Sequence, residues 1–212
     1  MAFTTPYTFT ALETLTAAKM NAIQSNISAI WVGTTAGDTD YYTSSTAKSR
    51  LAIGSAYQKL FVNGAGTAPV WGSTHFASVY HNTTQNLSNG VSTILLFNSE
   101  NSDTLGWHST SSNTGRMTVT VTGGYVFTVF FEYSATGGGG SYRDLVEFKK
   151  NGTTVYFKTA YQDIEAQDKA YMLTTPITAL SATDYMEVSV NQNSGGTRAV
   201  QANSTYTAER IY

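Results

Sequence analysis

The nine residues YVFTVFFEY, Tyr125 to Tyr133, constrain the fold more than any other stretch of the chain. Successive side chains of an extended strand point to opposite faces. Tyr125, Phe127, Val129, Phe131 and Tyr133 therefore share one side, and all five are apolar or aromatic. The other side carries Val126 and Phe130. A strand apolar on both faces has to be covered on both. In a two-sheet sandwich only one face meets the core, so the second requires either another subunit or a loop folded over it, and the sequence leaves both open.

Around this strand the chain reads as all-β from about His75 onward. Runs rich in β-branched and aromatic residues, bounded by Gly, Asn, Asp and Ser, predict strands at Phe76–His81, Val91–Phe97, Arg116–Val121, Tyr125–Tyr133, Asp144–Lys149, Thr154–Ala160, Lys169–Thr174, Tyr185–Gln192 and Ala199–Tyr212. RMTVTV alternates, which puts Met117, Val119 and Val121 inward. In DLVEFKKNGTTVYFK a two-residue turn at Asn151-Gly152 pairs Phe148 with Val155 and Val146 with Phe157 on an apolar face, with Glu147 opposite Tyr156 and Lys149 opposite Thr154. This number of strands in a region of that length suits an antiparallel jelly-roll sandwich.

The N-terminal third is different. Thr16 is placed to cap a helix whose apolar residues Met20, Ile23, Ile27 and Ile30 recur at spacings of three, four and three. They form a seam for a second helix or for the chain's own domain. Isoleucine at both kinds of seam position favours three strands over two. From Gly33 to about Thr74, short extended pieces alternate with turns at Gly37-Asp38, Gly54, Asn63-Gly64 and Gly66. LFVNGAGTAPVWG is not a phosphate loop, because Gly66 leads into Pro69, Val70 and Trp71 rather than into a helix. Its aromatic ends make it a tight turn docked on something, as in a shaft. The expected division is 1–32 anchor and helix, 33–75 β-rich neck, and 76–212 head.

Composition excludes several function classes. Charged residues are only 12% of the 212, net charge is −2, and no basic run exceeds Lys149-Lys150, so the field that nucleic-acid binding needs is missing. With no cysteine, disulfides and thiolate metal sites are excluded. MAFTTPYTFTALETL lacks a basic segment followed by an apolar one, and no stretch is long enough to insert in a membrane as a helix, so the expectation is a chain made without Sec-type export.

Catalysis and cofactors find little footing. His75 and His81 are spaced to share a strand face, but no carboxylate neighbours them, and with His108 they read as ordinary surface imidazoles. Asp163, Glu165 and Asp168 in QDIEAQD could hold a metal through oxygen ligands or supply a carboxylate pair; a solvated loop is the plainer reading. No cofactor is expected. The tetraglycine Gly137–Gly140 reads as a hairpin tip. The loops Asn98 to Asn113, Ser134 to Tyr142 and Asn191 to Thr197, with Trp107 and Tyr142, are the candidates for contact with a partner; the alternative is that the loops only shield strand edges, or that Trp107 belongs to the core.

Two resemblances add to this. LTAAKMNAIQSNISAIW, GTTAGDTDYYTSSTAKSRLAIG and AYQKLFVNGAGTAPVWG, in that order, resemble the N-terminal and shaft segments of tailed-bacteriophage fibre and virion-surface proteins. SDTLGW, NTGRMTVTVTGGYVFTVFFEY, YRDLVEFKKNGT, ATDYMEVSVNQNSGG and the terminal ERIY resemble the jelly-roll heads of the complement/tumour-necrosis-factor superfamily. Together they imply a non-enzymatic homotrimer located on the virion, joined to other virion proteins through its N-terminus. Its head would bind a host-surface glycan or protein, or it would be a capsid head fibre or decoration protein with a purely structural role.

Overall fold

The computed structural model describes residues 14–30, 34–45, 47–56, 58–63, 65–134, 142–163 and 168–212. The chain divides into two units, Met1–Thr74 and His75–Tyr212.

The first unit holds helix α1 (Ala17–Ile30) and two hairpins, β1 (Thr39–Ser44) with β2 (Ala47–Leu51) and β3 (Gln58–Val62) with β4 (Pro69–Ser73). Thr16 caps the helix as its position predicts, its Oγ1 accepting from the Lys19 N–H at 3.4 Å. Asp38 organises the first hairpin: its carboxylate accepts from the Thr34, Thr35 and Ile53 amides and from the Arg50 guanidinium, which holds the carboxyl well below its usual range. The LFVNGAGTAPVWG stretch is the β3–β4 hairpin, with Leu60 opposite Trp71 and Phe61 opposite Val70. Its turn is closed by Asn63, whose Oδ1 accepts from the Thr67 and Ala68 amides. Trp71 docks inside the unit, its Nε1–H donating to the Ala52 carbonyl at 2.7 Å. Position 54 has to be glycine here, because a Cβ would sit 2.6 Å from the Trp71 ring.

The second unit contains β5 (Phe76–Tyr80), β6 (Gln85–Leu87), β7 (Thr93–Ile94), β8 (Ser99–Asp103), β9 (Arg116–Thr118), β10 (Gly123–Tyr133), β11 (Tyr142–Lys150), β12 (Thr154–Asp163), β13 (Lys169–Thr174), β14 (Thr178–Leu180), β15 (Tyr185–Gln192), β16 (Arg198–Val200) and β17 (Thr205–Arg210). They form two antiparallel sheets in a jelly-roll-like sandwich. The larger runs β6-β16-β10-β17-β5-β8, with β13 and β14 also paired to β10; the smaller runs β12-β11-β15-β7, with β9 beside β15. Tyr125, Phe127, Val129, Phe131 and Tyr133 of β10 are all fully buried. They meet Val146 and Phe148 of β11 and Met186, Val188 and Val190 of β15 in one core. Tyr206 of β17 ties the layers, stacking on Phe127 at 6.0 Å and donating its hydroxyl to the Met186 carbonyl of the opposite sheet.

Four expectations are corrected. The β11–β12 turn has three residues, Asn151, Gly152 and Thr153, because Lys150 pairs with Thr154. A bulge between Phe148 and Lys149 then sets Phe148 opposite Phe157 and Val146 opposite Thr159. The cause is tertiary: the Asn151 amide group donates to Asp184 and accepts from the Tyr185 N–H, while Lys150 pairs with Asp184 at 2.7 Å and lowers that carboxyl to about 2. Val121 faces outward, exposed beyond the end of β9. The terminal run is split into β16 and β17 by a turn where Asn203 has φ 69°. Finally, β6, β8 and β14 are short strands that no hydrophobic run predicted.

Candidate functional site

The two outer faces of the sandwich differ in chemistry. On the smaller sheet Lys149 lies opposite Glu187 and Glu147 opposite Ser189, with Arg116 next to Glu187 on β9. That face is ionic, and Lys149 donates to Ser189 Oγ and pairs with Glu147 at 3.4 Å. On the larger sheet the register sets Phe76, Ser78 and Tyr80 of β5 opposite Glu209, Thr207 and Thr205 of β17, then Val126, Thr128 and Phe130 of β10, then Thr174 and Met172 of β13. This face is mainly hydroxyl and apolar. Met172 is 70% exposed, Phe76 is exposed, and Val126 and Phe130 are half-buried. A shallow depression of about 310 Å³ lies there between Phe76, Val126, Thr128 and Thr207.

A buried polar cluster crosses the core. Asp144 of β11 accepts from the Tyr171 hydroxyl at 2.6 Å and from Arg198 at 3.2 Å, and the Arg198 guanidinium lies 4.2 Å from the centre of the Tyr133 ring. Asp144 is 2% and Arg198 3% exposed. Burial pushes the Tyr133 and Tyr171 phenols up, so both remain protonated and Tyr171 serves as a donor. A carboxylate so enclosed is a structural tie between β11, β13 and β16.

A third site is the connection from β8 to β9. Asp103 accepts from the Leu105 and His108 amides at 3.2 and 2.8 Å. The His108 ring bridges Glu100 Oε1 at 2.9 Å and the Thr114 carbonyl at 3.1 Å. Ser109 Oγ accepts from the Ser111 and Ser112 amides. This ordered loop borders a cleft of about 160 Å³ lined by Ser109, Ser112, Asn113, Arg116 and Thr118.

Sequence-derived candidates fall unevenly on these places. Trp107 lies in the core: it is 2% exposed, packs edge-on to Tyr125 at 5.3 Å and donates its Nε1–H to Thr120 Oγ1. Residues 99–103 of the first candidate loop are the edge strand β8. Tyr142 opens β11, but its side chain lies outside the described residues, as do the glycines 137–140, Glu165 and the Asp163 side chain. Asp168 is exposed, and among the described residues no three His, Asp or Glu side chains gather to hold a metal. Met20 and Ile27 are exposed on α1, Ile23 is partly so, and the Ile30 side chain is outside the described residues.

The histidines are not all surface imidazoles. His108 is locked in its loop, and His81 is buried edge-on to Phe97 at 5.4 Å with neither ring nitrogen hydrogen-bonded. Burial holds the His81 pKa below its ordinary 6.5. The unfolded chain therefore takes up a proton that the folded state resists. Stability is expected to be full above about pH 6.5 and to fall as pH drops below it. Urea midpoints at pH 7.5 and 5.5 check this, and His81→Phe should flatten the difference.

No protein-family model and no curated protein matches the chain. Among solved structures it is similar to the tumour necrosis factor Eiger of S. frugiperda, at 14% identity and TM-score 0.43, covering 66% of this chain and 93% of that one. It is likewise similar to the globular domain of zebrafish complement 1qA, at 15% identity and TM-score 0.41, covering 66% and 98%. Murine APRIL gives 10% identity and TM-score 0.44, covering 64% and 99%. The likeness to the tumour-necrosis-factor and complement heads is one of jelly-roll fold.

Proposed function

We propose that the protein is a homotrimeric virion-surface fibre of a tailed bacteriophage, whose N-terminal unit joins other virion proteins and whose head binds a host-surface glycan or protein non-covalently. The observation that carries the trimer is apolar surface that a single chain leaves bare. In the first unit no described apolar residue is buried, while Met20, Ile27, Tyr42, Ile53, Leu60, Phe61 and Val62 are exposed. A two-stranded hairpin without a covered apolar face is marginal in water, and so is an isolated helix of 14 residues.

The occupant of that surface is a second and third copy of the chain, because the isoleucine seam of α1 is self-complementary and suited to three strands. In the head, the mainly hydroxyl and apolar face of the larger sheet is the second self-contact, since copies meeting there bury Val126, Phe130 and Met172, with Glu209 and Glu132 as the carboxylates the register places on that face. The bacteriophage reading is supported by the ordered N-terminal sequence blocks, and the binding role by the neutral, hydrogen-bonding loops. Light scattering in dilute buffer is expected to give three times the chain mass of 22.9 kDa; one chain's mass refutes the trimer. Added protein should protect host cells from infection. A folded trimer that neither adheres to cells nor competes refutes the binding role and leaves the capsid-decoration role standing.

A further inference from the structure

We infer that the cleft beside the Ser109–Asn113 loop is a subsite for a carboxylate-bearing sugar, with Arg116 holding the carboxylate. This rests on the reading of the head as a glycan binder and names the class of glycan.

The cleft combines three properties. First, its donors are unspent. Among the described residues the Arg116 guanidinium makes no hydrogen bond; it lies over the Tyr185 ring, 4.5 Å from its centre, and interacts electrostatically with Glu187, its register partner on β15. The Asn113 amide and the Thr118 hydroxyl, which line the same space, likewise donate to no described residue.

Second, the loop is built before any ligand arrives. Asp103, His108 and Ser109 fix its backbone through the bonds given above, and Asn113 turns it at φ 53°. A site whose groups are already placed loses little entropy on binding.

Third, no carboxylate among the described residues hydrogen-bonds the guanidinium. Asp103 accepts from backbone amides and Glu100 pairs with His108, while Glu187, opposite Arg116 in the register, interacts with Arg116 and Lys149 through space without a hydrogen bond to Arg116. The guanidinium is thus left to meet an anion from outside, and its planar fork matches a carboxylate. The hydroxyl and amide groups around it both donate and accept, as the ring hydroxyls of a sugar do. Tyr185 keeps the guanidinium in place by its face. The space, about 160 Å³, is that of one small polar unit rather than a long chain.

Ligand-observed NMR on the full chain, with glucuronate, glucose and inorganic phosphate as probes, tests the inference. Glucuronate is expected to bind about tenfold more tightly than glucose, and Arg116→Gln, with an unchanged thermal midpoint, to remove that advantage, since a hydrogen bond to a charged group is worth that much. Equal binding of glucuronate by the variant overturns the subsite. Phosphate binding as tightly as glucuronate overturns the sugar class. The broader reading is separated by adhesion to host cells: if both proteins adhere equally and neither takes glucuronate, the subsite falls and the binding role stands. If glucuronate binds through Arg116 while neither protein adheres, the binding role falls and the subsite stands.

Discussion

Arg198→Met is expected to destabilise the head by about 3–5 kcal/mol, the usual cost of removing one partner from a buried ion pair. The variant leaves Asp144, 2% exposed, with only the Tyr171 hydroxyl for support. Its Oδ1 already has no partner among the described residues. Methionine fills most of the arginine's volume, so the loss reports the uncompensated carboxylate rather than a cavity. The double variant Asp144→Leu with Arg198→Met should recover much of the loss, because replacing both members of a buried pair with apolar groups is far cheaper than removing one. Urea unfolding of the two proteins measures both effects. A single variant within about 0.5 kcal/mol of the parent would show that the pair is solvated in solution.

Trp107→Ala should cost a comparable amount, about 3–5 kcal/mol, because it empties a core position where the indole packs on Tyr125 and satisfies its N–H on Thr120. A surface contact residue would behave in the opposite way, leaving stability within about 0.5 kcal/mol and changing only binding. Thermal melting of the variant separates the two roles directly. The loop that Trp107 anchors also carries the cleft beside Arg116, so partial unfolding there should remove glucuronate binding as well.

What could be read from the sequence followed the strength of the periodic signal. The helix with its Thr16 cap, the doubly apolar β10 and the strand β13 were all legible from local pattern, although Met20 and Ile27 of the helix and Met172 of β13 lie exposed. The strands β6 and β8 were not, since QNL and SENSD carry almost no apolar residues and are extended only because a neighbouring strand edge pairs with them. The hairpin register failed for a related reason. Asn-Gly announces a two-residue turn, but Asp184 and Tyr185, more than thirty residues along the chain, take the Asn151 side chain and lengthen the turn to three. At the cleft, Arg116 was visible only as the start of a strand. That its N–H groups stay free depends on where Glu100 and Asp103 make their hydrogen bonds and on Glu187 acting only through space, and sequence spacing carries no such information. The sequence left Trp107 between contact and core because its polar surroundings, SDTLGWHS, resemble an exposed loop; the structure puts it in the core, after a turn at Gly106 with φ 66°.

The contrast between a head with its own core and an N-terminal unit with no buried apolar residue among those described sets an order of events in time. The head can fold at a rate indifferent to concentration, as one chain leaves the ribosome. If the chain assembles as proposed, the N-terminal unit must wait for an encounter. Once heads had met, the tethered segments would be held at high effective concentration and would zip together along the isoleucine seam. Assembly would then start at the heads and proceed toward the N-termini, and dilution should undo it in the reverse direction.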